Sequence, residues 1–93
     1  GRTATYAQAA AELDVPPPHR IHSLARALEE TMEIDAAAGR PFRAALVVSR
    51  ARDGLPAPGF FDCARRLGRY DGPDAGPDAA DFHQAQLSAL GLA

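Results

Sequence analysis

Ile21, Leu24, Ala25, Leu28 and Met32 recur at three- and four-residue spacing, which is one apolar stripe along a helix. The stripe predicts a helix from roughly 18 to 37. Its other face carries His19, His22, Ser23, Arg26, Glu29, Glu30 and Glu33. Gly39 is suited to terminate it, because glycine takes the left-handed conformation of a helix end without strain. Upstream, TYAQAAAEL (5–13) predicts a shorter helix. Alanine favours that state, Thr3 or Thr5 can cap it, and Tyr6, Ala10 and Leu13 share a face. VPPPH (15–19) separates the two helices, since consecutive prolines lack N–H donors and hold their neighbours extended.

RAALVVS (43–49) has the brevity and the β-branched pair of a buried strand. ARDG then turns the chain, with Asp53-Gly54 as the sharpest turn signal, and Leu55 begins a short return strand. Pro56 and Pro58 stiffen the approach to a helix starting near Gly59. In it Phe60 or Phe61, Ala64 and Leu67 face inward, while Arg65, Arg66 and Arg69 face out. DGPDAGPDAA (71–80) reads as a loop, and its near-repeat of GPDA is too short for a repeat architecture. Asp78 or Asp81 is placed to cap a last helix bearing Phe82, Leu87 and Leu90, which share no narrow stripe and predict contact with two surfaces.

This order predicts one α+β, mostly helical domain over 1–93. Residues 3–69 form a winged helix-turn-helix (helix, helix, strand, turn, short strand, helix), 70–80 a Gly/Pro/Asp loop, and 81–93 an appended C-terminal helix. A bare helical bundle with one irregular strand is the rival architecture.

Composition narrows the chemistry. The apolar share of the 93 residues is 46%, but about half of it is alanine, which suits a small helix-rich core. A single cysteine, Cys63, forms no internal disulfide and fits a reducing cytoplasm. No apolar run is long enough for a transmembrane helix, and the N-terminal residues lack the shape of a signal peptide. The leading glycine resembles a tag remnant or an excised domain, so residues beyond this chain are expected to matter. All ten basic residues are arginine, the mark of a GC-rich genome. Net charge is −2, yet residues 19–69 carry about +3 and residues 70 onward carry −4. The basic character is confined to the middle.

No catalytic group stands out. His19 and His22 could share an ion at i, i+3 spacing, but no third ligand lies near, so no metal is expected. Cys63 has only Arg66 on its face and reads as a buried, inert thiol. Gly-x-Ser-x-Gly and a lysine-bearing phosphate loop are both absent. The prolines of GLPAPG lack the N–H groups that would cradle an anion. Glu29, Glu30 and Glu33 read as a solvated face. The expectation is a protein that is not an enzyme and takes no cofactor.

A binding surface remains. A recognition helix reads DNA from its N-terminal end, whose partial positive charge favours phosphate. Here that end offers His19, Arg20, His22, Ser23 and Arg26, with the acids pushed to the C-terminal half. Arg50 and Arg52 sit at the following turn, where a wing reaches phosphates. The expected partner is therefore double-stranded DNA, held by helix 19–37 and the 50–54 turn. The alternative is an interaction module on the same scaffold, in which Phe82, Leu87 and Leu90 pair a homodimer or dock a larger protein. No membrane contact is expected.

TYAQAAAEL, followed by PHRIHSLARAL and ALVVS, resembles the DNA-binding domain of the methylated-DNA–cysteine methyltransferases and their alkyltransferase-like relatives. That family shows Thr-Tyr-Gly, a short helix, a second helix reading Arg-Ala-Val-Gly-x-Ala-Leu, and a strand ending Val-Val. The likeness covers about residues 4–50, and the turn and next helix extend it to about 69. It implies a winged-helix fold and a DNA partner. By the same resemblance Tyr6 matches a tyrosine beside a DNA phosphate, His22 replaces the arginine that enters the base stack, and Ala44 replaces the reactive cysteine. Alanine there removes alkyl transfer, and Cys63 is too distant in sequence to substitute. His22 in place of arginine also withdraws support from base flipping. The chain is similar as well to small bacterial proteins that pair Thr-Tyr-x-x-Ala with Val-Val…Gly-Leu-Pro-x-x-Gly-Phe-Phe and an aromatic C-terminal helix. The resemblance bears on fold more than on function.

Overall fold

The structure, a computed structural model, describes residues 3–12 and 20–91. Helix α1 (Tyr6–Glu12) starts at a reciprocal cap. Gln8 N–H donates to Thr5 Oγ1 at 3.2 Å, and Thr5 N–H donates to Gln8 Oε1 at 2.9 Å. Two donors that a helix start leaves open are thereby satisfied. The residues before α1 form β1 (Ala4–Thr5), which pairs in parallel with β2 (Val47–Val48) in the register Ala4↔Val47, Thr5↔Val48.

Helix α2 (Arg20–Ala37) buries Leu24 and Met32 and half-buries Leu28. Its end is set by Gly39 at φ +70°, with Arg40 N–H donating to Asp35 O at 2.8 Å and Gly39 N–H to Ala36 O at 3.2 Å. This is the paired closure that a left-handed glycine permits. Helices α3 (Pro58–Arg66) and α4 (Pro77–Ala89) complete a mostly helical α+β fold.

Two apolar clusters make the core. The smaller joins Ala9 and Ala10 of α1 to Leu24 and Val47. The larger gathers Met32, Phe42, Ala44, Ala45, Phe60, Phe61, Cys63, Ala64 and Ala79. Leu28 packs against both and links them. Phe60 is the hub of an aromatic group, with edge-on contacts to Phe42 and Phe61 at centroid distances of 6.0 and 5.1 Å.

The 43–49 segment departs from the expected strand. Arg43–Leu46 form one 3-10 turn, and only Val47–Val48 are extended as β2. A strand would send Ala44 and Ala45 to opposite faces; the turn lets both be buried and aims the Arg43 N–H at Asp35. The return strand at Leu55 shrinks to a single antiparallel bridge with Ser49. Pro56 follows directly, and without an N–H it cannot extend a ladder. Arg50–Arg52 make a 3-10 turn between them, closed by Asp53 at φ 56° and Gly54 at φ 80°.

The last helix also differs from expectation. It begins at Pro77, so neither Asp78 nor Asp81 is its cap; Gly76 holds that position at φ 89°. Proline is favoured at the first helical residue, where its missing N–H costs nothing. The helix is part of the core rather than an addition to it. Ala79 and His83 are buried, and His83 Nε2 donates to Ala45 O at 2.9 Å. Gln86 Oε1 accepts the Phe42 N–H at 2.8 Å. Phe82 stacks on Tyr70 at 4.6 Å, and Leu87 and Leu90 pack on the larger cluster.

Candidate nucleic-acid interface

The outward edge of α2 is built by its inward one. Leu24 is fully buried against Ala9, Ala10 and Val47, so its neighbours His22, Ser23 and Arg26 point to water, and all three are exposed. Alanines at the α1 contact let the two helices approach closely. His19 lies outside the described residues, as do the side chains of Arg20 and Ile21.

Tyr6 is the hinge between two depressions. Its hydroxyl accepts the Ala57 N–H at 2.7 Å, tying α1 to the residue before α3. Burial pushes its pKa above the ordinary phenol value, only partly offset by that N–H and the charge of Arg52, so it keeps its proton at neutral pH. That proton stays available to donate. On one side Tyr6 joins Thr5, Gln8, Val48, Ser49 and Arg50 around an open groove of about 500 Å³. On the other it lines an apolar pocket of about 50 Å³ with Ala25, Leu28, Met32, Ala44 and Phe60, where Glu29 is the charged wall. The tyrosine and the alanine singled out by the family resemblance thus face one pocket.

Arg50 and Arg52 share a turn and differ in role. Arg52 Nε donates to Pro56 O at 2.9 Å, and its Nη2 donates to Asp74 O. Its guanidinium is spent on the fold. The Arg50 side chain is exposed and makes no hydrogen bond or ion pair among the described residues.

The same division runs through the chain. Arg40 and Arg43 both pair with Asp35, at 3.2 and 2.9 Å. Arg65 pairs with Asp62 and with Asp74 at 2.7 Å, and Arg66 with Glu33 at 3.4 Å. Arg69 donates to Arg40 O at 2.9 Å and lies over the Phe42 ring at 4.9 Å. With Arg52, six of the eight arginines whose side chains are described are engaged. The other two, Arg26 and Arg50, have no partner among the described residues; both were already marked by the motif reading.

The α2 edge is not uniformly basic. Arg26 shares a surface with Glu29, Glu30, Glu33 and Arg66, so the positive character ends at the second turn of the helix. Cys63 is buried, and burial pushes its thiol up; Arg66, 3.3 Å from Sγ, offsets this only in part, and Glu29 and Glu33 add to the rise. It is a neutral thiol at physiological pH. Among the described residues no three His, Cys, Asp or Glu side chains gather as a metal site, and no described helix is long and apolar enough to cross a membrane.

Phe82, Leu87 and Leu90 are half-buried against the core, so little of them is left for a partner. Among the described residues the exposed large apolar side chain is Ile34, at 56%. It lies off the apolar stripe of α2, so the same periodicity points it outward. Gln8 and Ser49 also line the groove without having been singled out, and Thr5, marked only as a cap candidate, joins them; the Thr-x-x-Gln spacing of a capping box was available as a signal. Comparison of the chain with protein-family models, curated proteins and solved structures finds no match.

Proposed function

We propose that the protein is a non-catalytic, winged helix-turn-helix-like binding protein that holds duplex DNA between the N-terminal half of α2 and the 50–54 turn. The observation that carries this reading is the partition of arginines. The fold engages six and leaves Arg26 and Arg50 without partners among the described residues, one on each of the two elements that such a domain presents to DNA. His22 and Ser23 lie exposed beside Arg26 as donors and acceptors for base edges or phosphates. Tyr6 and Ser49 line the groove beside Arg50 and supply neutral phosphate contacts.

The test is a fluorescence titration of a labelled mixed-sequence duplex at low salt, for the wild type and the Arg26→Glu/Arg50→Glu double variant. Binding should be lost in the variant while its melting temperature stays near that of the wild type, because exposed substitutions of this kind shift stability by only about 0.5 kcal/mol. A wild type that leaves the duplex free at low salt overturns the reading. The mixed-sign surface of Arg26, Glu29, Glu30, Glu33 and Arg66 favours a second reading, a protein-interaction face, and that result would move the argument to it.

A further inference from the structure

The 50–54 turn is anchored from a distance. Arg65, in the last turn of α3, donates from Nη1 to Gly72 O at 2.7 Å and from Nη2 to the Asp74 carboxylate at 2.7 Å. The same Asp74 uses its backbone carbonyl to accept from Arg52, whose Nε holds Pro56 O. Tyr70 fixes the intervening residues: its hydroxyl donates to Pro73 O at 2.8 Å, and a Cβ on Gly72 would collide with its ring. Tyr70 is itself stacked on Phe82 of α4. Residues 72–74 therefore form a strap, clamped to α3 at one point and gripping the turn at another.

We propose that Arg65 is a positioning residue, which holds the 50–54 turn in place through this strap and so presents Arg50. The statement about Arg50 rests on the DNA reading; the statement about the turn does not. Inside the turn, Gly54 N–H donates to Ser49 O at 3.0 Å and Leu55 N–H to Arg52 O at 3.1 Å. With Arg52 N–H to Ser49 O at 3.2 Å, Asp53 N–H to Arg50 O at 3.3 Å and the Ser49–Leu55 bridge, they close a seven-residue loop by local bonds only, which is marginal by itself. Among the described residues, the side-chain hydrogen bonds leaving the turn are both from Arg52, to Pro56 O and to Asp74 O, and only the second reaches beyond the adjoining residues. A loosened turn would have to be reordered on binding, and that reordering weakens affinity.

The experiment has two arms, each with Arg65→Gln and Asp74→Ala. In the first, amide hydrogen exchange should accelerate about tenfold at Gly54 and Leu55 in both variants, with α2 amides unchanged. Unaltered exchange at the turn overturns the proposal, and so does equal acceleration in α2, which would signal global destabilisation. In the second, duplex affinity should fall by about three- to fivefold in the Arg65→Gln variant but show no further loss when Arg65→Gln is added to Arg50→Gln. Additive losses overturn the link to Arg50. Absence of binding by the wild type overturns the DNA reading, and the exchange arm then decides the strap alone.

Discussion

At the scale of single residues, Asp35 shows how the fold is locked. It lies in the last turn of α2, where the helix dipole disfavours a carboxylate, and it is 0% exposed. Burial alone would raise its pKa; the hydrogen bonds from the Arg43 side chain and N–H, with the charges of Arg43 and Arg40, outweigh it and hold the carboxyl below its usual range. A group depressed in the folded state contributes stability that is complete above its unfolded value of about 3.9 and is lost as pH falls through the folded value. Urea unfolding at pH 7 and pH 3 should therefore show the wild type weakening on acidification. Asp35→Asn should be less stable at pH 7 by about 2 kcal/mol, since it strips the charge from a buried network, and should lose less on acidification. An equal acid-induced loss in both proteins would refute this assignment. In the sequence Asp35 is one more acid on a charged helix, because its partners Arg40 and Arg43 lie across a turn that only the backbone path brings round.

Secondary-structure elements divide by how local their causes are. The existence of α1, α2 and α3 was legible because alanine content, apolar spacing, Gly39 and the 56–58 prolines all act within a few residues, although α3 ends at Arg66 and leaves Leu67 and Arg69 outside it. β1 was not, since a two-residue strand at Ala4–Thr5 exists only through its pairing with Val47–Val48, far along the chain. The role of α4 was missed for the same reason. Phe82, Leu87 and Leu90 share no narrow stripe, which predicted contact with two surfaces and offered them to a partner; in the folded protein they meet the core, with Phe82 against Tyr70, Phe60 and Phe42. Phe82→Ala should cost about 2–3 kcal/mol in chemical denaturation, at the low end for a large-to-small change because the ring is only half-buried. Phe82→Asp should unfold the domain instead of merely dissociating a dimer. A folded, equally stable Phe82→Asp protein would show that α4 is dispensable to the core.

For the molecule as a whole, charge counted from sequence and charge available to a ligand are different quantities. Nine arginines between residues 19 and 69 suggest a strongly basic middle. The fold engages most of them, with Asp35, Asp62, Asp74, Glu33 and backbone carbonyls as partners. The candidate interface was legible at His22, Ser23, Arg26 and Arg50, where helix position and turn position are local facts; the engagement of Arg52 was not, because its acceptor Asp74 comes from a distant loop. This partition predicts a modest salt dependence. If two or three phosphates are neutralised, log K against log salt should have a slope of about −2, far from the −8 that nine free arginines would give. Arg50→Gln should reduce the magnitude of that slope by about 1, whereas Arg66→Gln, which removes a cation already paired with Glu33, should leave it unchanged. Equal effects of the two substitutions would mean that the duplex senses total charge rather than the arginines left free by the fold.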